Sequence, residues 1–322
     1  MIDVDESSFV AIIVLNWNGL NETLKCLESV FNLDYSNYEV IVIDNASDGN
    51  DTEIISHTYP QVTLLKAEGN LGYTGGNNLG ICYALERGVQ YFWLLNNDAI
   101  VDPNTLSALI SLSETSPEIG LASPLICSQS QPDQVLYYGT YVDLYNQTKR
   151  NADNLTVIQY WQEQDSEKVC LWGTALLVKR SLVNDIGYLD DKFFAYYEDM
   201  DFSVRSIKAG YRNVVAITAR IYHEPKAKYL MHYPLYYHFY MIRNEYFFWM
   251  KHLVGWPRIC FLKTYWLKVI QKATHYFAIG KGNVASVYLD AAWSAIWGIG
   301  GDWHNRKFMP SILKMLLSRY PQ

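Results

Sequence analysis

The segment of this sequence with the clearest chemical character is residues 91–98, where an apolar run ends in Asn96, Asn97 and Asp98. The apolar part is typical of a buried strand. Ligands of open α/β sheets bind beyond the carboxyl ends of the strands. A carboxylate at such an end can hold a divalent cation, and the amides beside it can bind sugar or ribose hydroxyls. A simple polar turn after a strand is the alternative.

Other predicted strands end in the same way. The apolar runs at 9–15 and 39–43 are followed directly by Asn16 and Asp44. Helical patterns alternate with these runs, which predicts a parallel sheet with right-handed crossovers. We therefore expect the polar side chains that follow the strands to meet at one edge of the sheet. These positions are Asn16, Asp44, Asn70, Asn96, Asn97, Asp98, Asp199 and His223.

A crescent of amides and carboxylates suits a nucleobase, a ribose and a metal-bound diphosphate. Asp44 can accept a hydrogen bond from a base N–H. Gly69 and Gly72 allow the backbone to approach a ligand closely. Asp98 is the expected ligand of Mg²⁺ or Mn²⁺, which neutralises the charge of a leaving diphosphate. Neither GxGxxG after the first strand nor GxxxxGK[ST] occurs, so a dinucleotide fold and a P-loop are not indicated.

The composition limits the class of protein. Half of the 322 residues are apolar, which is enough for a large core. A net charge of −7 argues against general nucleic-acid binding. The five cysteines are scattered without a CxxC pair, so they predict neither a disulfide framework nor a zinc site. Because the N-terminus also lacks a basic region of the signal-peptide type, we expect a cytoplasmic protein.

Several local predictions concern the middle of the chain. Residues 69–78 are predicted to form a loop, which continues as a helix over 79–88. Residues 128–168 are polar and irregular, which predicts an insertion or an acceptor-side loop with a hairpin at 137–144. Residues 169–178 predict one strand interrupted by glycine and threonine, and the acidic segment 198–201 begins a helix.

The character of the sequence changes near residue 234. Residues 247–289 contain six Lys or Arg and no Asp or Glu. Apolar and aromatic residues recur there at helical spacing, which is typical of a helix on an anionic membrane surface. Packing on the catalytic domain with a solvated basic face is the alternative. Residues 284–301 are apolar but short and contain Asp290, so no spanning helix is predicted.

Seven segments in order resemble the inverting family 2 glycosyltransferases of GT-A fold, and within them a rhamnosyltransferase-like branch. They are VLNWNG (14–19), VIDNASDG (42–49), GNLGYTGGNNLGI (69–81), LLNND (94–98), GTALLVKR (173–180), FFAYYEDMDFSVRSIKAGY (193–211) and RNEYFF (243–248). The resemblance spans about residues 9–250. It implies an α/β GT-A fold, with a Rossmann-like, mostly parallel sheet flanked by helices and a C-terminal helical extension.

The resemblance also implies domains, an activity and partners. Residues 1–233 would form the catalytic domain, with a nucleotide-sugar half at 1–126 and an acceptor half at 127–233, and residues 234–322 the extension. The implied reaction moves a sugar from a nucleotide-diphosphate donor, such as dTDP-rhamnose, to a glycan or lipid-linked acceptor in surface polysaccharide synthesis. We expect a location in the cytoplasm or on the cytoplasmic face of a membrane, and a homodimer through the C-terminal helices.

Individual roles follow from the matching positions. Asp199 resembles the general base, and Asp98 and His223 resemble the ligands of Mg²⁺ or Mn²⁺. Asn96 stands where the family often has Asp, and Glu224 follows His223 where a small residue is usual. The implied donor-binding residues are Asn16, Asp44, Asn70, Gly72, Asn96 and Asn97. The implied acceptor-side residues are Trp172, Gly173, Thr174 and Glu198.

Simpler interpretations remain for some of these residues. Glu198 and Asp201 suit the first turn of a helix, and Asp201 with Arg205 suits a structural ion pair. Arg243 and Asn244 either bind a phosphate or anchor their helix. At the level of function, a catalytically inactive nucleotide-sugar-binding relative is the main alternative. A nucleotidyltransferase is less compatible, because no basic glycine-rich loop follows the first strand.

Overall fold

The computed structural model describes residues 7–224 and 233–318, and the chain divides into two compact units. The first unit consists of Met1–Val142, Lys149–Leu189 and Asp199–Pro225, and the second of Asp143–Thr148, Asp190–Glu198 and Lys226–Gln322, as far as these are described. The division into a catalytic domain and an extension at residue 233 stays a prediction.

The first unit begins with the predicted alternation of strands and helices. Its elements are β1 (Val10–Asn16), α1 (Leu20–Val30), β2 (Tyr38–Asp44), α2 (Asp51–Thr58), β3 (Thr63–Lys66), α3 (Gly72–Leu85) and β4 (Tyr91–Asn96). The four strands pair in parallel. Side chains on both faces of β1 are buried in two separate hydrophobic clusters, which explains its continuous apolar run.

The predicted loop at 69–78 is wrong, because α3 begins at Gly72. Gly76 and Gly80 lie one helical turn apart, where α3 packs directly on β1. A Cβ atom at Gly76 would lie 2.3 Å from Leu15 Cδ1, and one at Gly80 would lie 2.6 Å from Ile13 Cγ2. Glycine weakens the helical signal in the sequence, but this packing distance requires it.

The rest of the first unit adds strands of both directions. These elements are β5 (Ala99–Val101), α4 (Thr105–Glu114), β6 (Ile119–Cys127), β7 (Val135–Tyr137), β8 (Thr140–Asp143), β9 (Thr148–Asn151), α5 (Leu155–Gln164), a 3-10 turn (Ser166–Lys168), β10 (Val169–Cys170), β11 (Ala175–Lys179), α6 (Arg180–Ile186), α7 (Glu198–Lys208) and β12 (Arg212–His223). Among the described residues, one sheet has the order β3-β2-β1-β4-β11-β6-β12-β5, with β7 on β6, and a second has the order β10-β8-β9.

The predicted α/β architecture is confirmed, and the main sheet becomes mixed beyond β4. β11 is antiparallel to both β4 and β6, whereas β12 is parallel to β6. The predicted hairpin at 137–144 is wrong, because β7 pairs with β6 and β8 pairs with β10. The predicted strand at 169–178 is instead two strands, β10 and β11, which belong to different sheets.

The prediction of irregular structure at 128–168 is also wrong, since the segment contains β8, β9 and α5. The side chain of Asn154 caps α5 by accepting a hydrogen bond from the Val157 N–H at 3.1 Å. Ile158 and Trp161, three residues apart, bury the inner face of this helix. The short apolar face of α5 explains why its helical pattern is weak.

The second unit contains α8 (Leu235–His252), α9 (Trp256–Ala278), α10 (Gly282–Ile296), a 3-10 turn (Trp303–Asn305) and α11 (Ser311–Ser318). The buried face of α9 has helical spacing and consists of Phe261, Tyr265, Val269 and Ala273. The Tyr265 hydroxyl donates to the Ile242 carbonyl of α8 at 3.1 Å. None of the helices within residues 7–224 and 233–318 has both the length and the apolar character of a membrane span.

Candidate functional site

The polar ends of three parallel strands lie side by side at the carboxyl edge of the main sheet. In the pairing of β1 with β2, Asn16 is opposite Asp44. In the pairing of β1 with β4, Leu15 is opposite Asn96. The expected convergence of Asn16, Asp44 and Asn96 is therefore present, as the topology of a parallel sheet requires.

Asn16 is the centre of a buried hydrogen-bond network. Its Nδ2 lies 3.2 Å from Asp44 Oδ1, 3.0 Å from Asp51 Oδ2 and 3.1 Å from Ser47 Oγ. Its Oδ1 accepts from the Thr23 hydroxyl at 2.7 Å. One amide thus bridges two carboxylates that are otherwise close like charges. Thr23 and Asp51 were not among the predicted site residues. Thr23 lies in α1, the helix that follows Asn16, and Asp51 begins α2, the helix that follows Asp44.

Asn97 is linked to the same network through Thr23. Its Nδ2 donates to the Thr23 hydroxyl oxygen at 2.9 Å. Gly19 is required beside it, because a Cβ atom there would lie 2.5 Å from Asn97 Nδ2. The N–H of Asn96 donates to the Thr174 carbonyl at 2.9 Å, which joins β4 to the start of β11. Asn96, Asn97 and Thr174 are thus brought to one edge.

Asn70 and Gly72 form a turn that is held by Asn45. Asn45 Nδ2 donates to Asn70 Oδ1 and to the Gly72 carbonyl, both at 3.1 Å, and its Oδ1 accepts from the Leu71 N–H at 2.9 Å. Gly72 has φ +72°, a conformation that favours glycine. Asn45 was missed as a site residue, although it directly follows Asp44. Its side chain fixes the turn at the N-terminus of α3.

Asp98 and His223 are brought together by the pairing of β5 with β12. His223 is opposite Ala99 in that antiparallel ladder. His223 Nε2 lies 3.1 Å from Asp98 Oδ1, and the two side chains are 13% and 20% exposed. Gln129 Nε2 also donates to the carbonyls of Asp98 and Tyr222, at 2.9 and 3.3 Å. The predicted pair therefore exists as a partly exposed carboxylate–imidazole contact.

This pair provides chemically suitable donors for a divalent cation. A carboxylate oxygen and an imidazole nitrogen are both ligands of Mn²⁺, and Mg²⁺ prefers oxygen. In the described parts of the chain, no group of three or more His, Cys, Asp and Glu side chains lies close enough to hold a metal.

Asp199 is the second residue of α7 and accepts two backbone hydrogen bonds. The Gly173 N–H donates to its Oδ2 at 3.0 Å, and the Met200 N–H donates to its Oδ1 at 2.7 Å. Burial raises the pKa of the Asp199 carboxyl above its usual range, although these N–H groups and the nearby Lys149 ammonium oppose the rise. A carboxylate of raised pKa is suited to accepting a proton.

Trp172 and Gly173 form a wall beside Asp199. The Trp172 ring stacks on Tyr137, with ring centroids 4.0 Å apart. The Tyr73 hydroxyl of α3 donates to the Gly173 carbonyl. A Cβ atom at Gly173 would lie 2.8 Å from the Tyr73 oxygen. A side chain at this position would have to displace the Tyr73 hydroxyl, so glycine allows the close contact between α3 and the segment that begins with Trp172.

The other two acidic residues of α7 are Glu198 and Asp201. Asp201 Oδ2 forms the predicted ion pair with Arg205 Nε at 2.8 Å. Arg205 also donates to the carbonyls of Ile186 and Tyr188, at 2.9 and 2.7 Å. Glu198 is buried at the first residue of the helix.

Arg243 and Asn244 are fully buried in the second unit and bind main-chain carbonyls. Asn244 Nδ2 lies 2.8–2.9 Å from the carbonyls of Phe193, Ala195 and Tyr196. Arg243 donates to the Gly301 carbonyl at 2.6 Å and to the Phe193 carbonyl at 2.8 Å. These contacts favour the anchoring alternative over phosphate binding.

Comparison with known proteins identifies the family. The model of the family described as glycosyl transferase family 2 matches residues 11–187, which is more than half of the chain. This chain belongs to glycosyl transferase family 2. The predicted family is thereby confirmed, and five of the seven segments lie within the matched range. The matched range of the family 2 chain includes the donor-side positions and residues 172–174, and it ends before Asp199 and His223.

Two curated relatives have named activities. N-acetylglucosaminyl-diphospho-decaprenol L-rhamnosyltransferase of Mycobacterium tuberculosis is 29% identical over 204 residues, which cover 57% of this chain and 66% of the relative. Low-salt glycan biosynthesis hexosyltransferase Agl10 of Haloferax volcanii is 26% identical over 206 residues, which cover 61% of each chain. The match thus spans slightly less than two thirds of the length of these relatives.

Solved structures support the predicted GT-A fold. The mannosyltransferase PcManGT from Pyrobaculum calidifontis, in complex with GDP-Man and Mn²⁺, has a TM-score of 0.54 at 16% identity, covering 91% of this chain and 90% of that one. GalNAc-T7 with UDP, GalNAc and Mn²⁺ has a TM-score of 0.53 at 14% identity, covering 68% and 44%. At these identities the likeness concerns the fold, and the predicted fold of the family 2 chain is confirmed.

Proposed function

We propose that this chain is an inverting glycosyltransferase that moves a sugar from a nucleotide-diphosphate donor to a hydroxyl of a glycan or lipid-linked acceptor. The observation that carries the proposal is the continuity of the polar strand ends within the first unit. Hydrogen bonds run from Asp44 through Asn16 and Thr23 to Asn97. From the neighbouring Asn96 they continue through residues 173–174 to Asp199.

The proposed donor side combines Asn16, Asp44, Asn70, Gly72, Asn96 and Asn97. Asn16 holds Asp44 through its Oδ1, and the second carboxylate oxygen of Asp44 is the proposed acceptor for a base N–H. Asp44 is only 1% exposed. A charge-assisted hydrogen bond is strong in such a low-dielectric setting. The turn fixed by Asn45 offers backbone groups to the ribose or the diphosphate.

Asp98 and His223 are the proposed protein ligands of Mg²⁺ or Mn²⁺. The 3.1 Å contact between Asp98 Oδ1 and His223 Nε2 supports this proposal, because it brings one oxygen donor and one nitrogen donor together. A cation held by these two residues would stabilise the negative charge of the leaving nucleoside diphosphate.

Asp199 is the proposed general base. It accepts the proton of the acceptor hydroxyl while that oxygen forms a bond to the anomeric carbon and the bond from this carbon to the diphosphate breaks. Attack from the face opposite the diphosphate inverts the anomeric configuration. Trp172, Gly173, Thr174 and Glu198 are the proposed acceptor side. The two N–H groups bound to Asp199 keep its carboxylate aimed in one direction.

The choice of substrates follows the named relatives. Because the Mycobacterium tuberculosis relative is named as a rhamnosyltransferase of an N-acetylglucosaminyl diphospholipid, we propose dTDP-rhamnose as the first donor to test and a lipid-linked glycan as the acceptor. Such an acceptor would bring the enzyme to the cytoplasmic face of a membrane, for surface polysaccharide synthesis.

The exposed face of α9 supports an association with an anionic membrane surface. Trp256, Ile259 and Leu267 are 72%, 57% and 50% exposed there. Of the six basic residues in 247–289, Lys251 and Lys268 form ion pairs with Asp190 and Glu245, both at 2.7 Å. The attraction to lipid would thus depend on the other four. A homodimer through the C-terminal helices stays a prediction.

The experiment that tests the proposed function compares the wild type with Asp199→Asn. We expect nucleotide sugars with Mn²⁺ to raise the melting temperature of both proteins, because the donor side is intact in each. Release of nucleoside diphosphate in the presence of an acceptor should fall by about 10²–10⁴-fold in the variant. Unchanged release would remove Asp199 as the base. Stabilisation of the wild type without any transfer would favour the inactive relative.

A further inference from the structure

A groove on the first unit lies outside the residues already assigned. Its volume is about 430 Å³, and it is bounded by the exposed strand β9 and by one face of α5. The residues that line it include Arg150, Asn151, Asp153, Thr156, Tyr160 and Trp161. The Tyr160 ring is 57% exposed, although it lies beside the buried Trp161 on the same helix.

The chemistry of this groove suits a sugar ring. A sugar offers C–H groups on one face and hydroxyls around its edge, so an exposed aromatic ring and short polar side chains complement it. Tyr160 supplies the ring, and Asn151, Asp153 and Thr156 supply amide, carboxylate and hydroxyl groups. The groove is lined by one negative charge, Asp153, and one positive charge, Arg150, so its net charge suits an uncharged ligand.

Arg150 is held in place by aromatic rings. Its guanidinium carbon lies 4.8 Å from the centre of the Tyr141 ring and 5.4 Å from that of Trp161. These cation–π contacts fix the side chain while its outer N–H groups remain able to donate to hydroxyls. A rigid donor beside an exposed ring is a preorganised arrangement, which lowers the entropy cost of binding.

The groove is connected to the proposed base by a short path of contacts. The Thr140 hydroxyl donates to Asn151 Oδ1 at 2.9 Å and lies 3.2 Å from the Tyr137 hydroxyl. Tyr137 stacks on Trp172, whose neighbour Gly173 donates its N–H to Asp199.

The strand order of the second sheet also places the groove near Trp172 and Gly173. β9 is next to β8, and β8 is next to β10, which leads into Trp172 and Gly173. Neighbouring strands lie about 4.8 Å apart, so β9 is about 10 Å from β10. The Lys149 ammonium at the start of this path is close enough to oppose the burial that raises the pKa of Asp199. A short oligosaccharide can cover this distance.

We propose that the groove between β9 and α5 binds a neutral sugar residue of the acceptor glycan, one or more sugars away from the hydroxyl that reacts. The proposal rests on the proposed function, since it assigns the groove to the acceptor of that reaction. Tyr160 would be the main contact, with Asn151 and Asp153 binding sugar hydroxyls.

The test measures saturation-transfer NMR from the protein to small probes. The probes are a panel of methyl glycosides of neutral hexoses, deoxyhexoses and N-acetylhexosamines, with octyl diphosphate as the probe that carries phosphate without sugar. The variants are Tyr160→Ala and the matched control Tyr145→Ala, whose ring is 80% exposed outside the groove. Circular dichroism and the melting temperature check that each variant is folded.

We expect at least one glycoside to receive saturation from the wild type and from Tyr145→Ala, and its affinity to fall about fivefold or more in Tyr160→Ala. The proposal is overturned if no glycoside responds, if Tyr160→Ala leaves the response unchanged, or if only octyl diphosphate depends on Tyr160. Thermal stabilisation by nucleotide sugars, measured on the same samples, distinguishes failure of the groove assignment from failure of the proposed function. If it is present while the glycoside result fails, the groove assignment alone is lost, and if it is absent, the proposed function is lost.

Discussion

Replacing Asn16 by Asp should create a cluster of three carboxylates where an amide now donates hydrogen bonds to two of them. The Asn16 amide donates to Asp44 at 3.2 Å and to Asp51 at 3.0 Å, and it is completely buried. Asn16→Asp preserves the size of the side chain and its acceptor for Thr23. It places a second carboxylate oxygen where the amide nitrogen had separated two negative charges.

The expected cost follows from these distances. Because each carboxylate spreads its charge over two oxygens, the charges lie about 4 Å apart, and one such pair repels by about 4 kcal/mol at an effective dielectric constant of 20. That energy equals a rise of about three units in the pKa of the cluster, shared among its members. The folded variant would then hold a proton that the unfolded chain has lost above about pH 4.

The sign of the pH effect is therefore fixed. Where the folded state binds more protons than the unfolded state, stability falls as pH rises, by about 1.4 kcal/mol per pH unit for one proton. We expect Asn16→Asp to lose about 2.7 kcal/mol between pH 5 and pH 7 relative to the wild type. A further loss of about 1–3 kcal/mol should be present at every pH, because a protonated carboxyl donates one hydrogen bond where the amide donates two.

Urea unfolding at several pH values, followed by circular dichroism, measures this difference. The matched control is Asn18→Asp, because Asn18 Nδ2 also lies 3.1 Å from a carboxylate, that of Asp48, but both side chains are exposed. Solvent screens that pair, so the control should change stability by less than about 1 kcal/mol at every pH. Equal and pH-independent behaviour of the two variants would refute the electrostatic reasoning.

Three further results are expected. Gly76→Ala should destabilise the fold by about 1–2 kcal/mol in urea unfolding, because its Cβ would lie 2.3 Å from Leu15 Cδ1, whereas Gly69→Ala, with no atom within 4 Å, should be nearly neutral. Burial raises the pKa of Asp199, and a general base acts only when it is ionised. We therefore expect kcat/KM to fall with decreasing pH, with a midpoint above the ordinary aspartate pKa. A midpoint at or below the ordinary aspartate pKa would contradict this. Sedimentation with anionic liposomes should decrease with added salt and with Leu267→Glu, and salt-independent sedimentation would count against α9 as the contact.

The sequence predicts the position of the site better than its internal contacts. The buried apolar runs place Asn16, Asp44 and Asn96 at strand ends, and parallel pairing then brings them together regardless of the loops. Which atoms an amide binds depends instead on loop conformation. Asn18 and Ala46 both have positive φ, at 50° and 61°. Asparagine before glycine favours such a turn, but the residue type of Ala46 does not predict one. The bonds of Asn16 to Asp51 and Ser47 were therefore not predictable.

Two further features, β5 and the start of α3, could not be predicted from the sequence pattern, for different reasons. β5 has only three residues, too few for a periodic signal, yet its pairing with β12 is what brings Asp98 to His223. In α3, the glycines that allow close packing on β1 also conceal the helix. In both cases long-range packing overrides the local pattern.

Arg243 and Asn244 support the loop that precedes Glu198 and Asp199, and no contact with a ligand is needed to explain them. Phe194, Tyr196 and Tyr197 have positive φ, between 66° and 74°, a region that costs a residue with a side chain about 1–2 kcal/mol. Asn244 binds three carbonyls of this loop, and Arg243 binds the Phe193 carbonyl together with that of Gly301, which lies outside the loop. Burial lowers the pKa of Arg243 to about 10, so it stays charged at neutral pH. Its charge is stabilised by these carbonyl dipoles, by the aromatic rings packed around it and by the negative charge of Asp302. The resemblance at residues 243–248 is thus best explained by the support of a strained loop that directly precedes Glu198 and Asp199 in the chain.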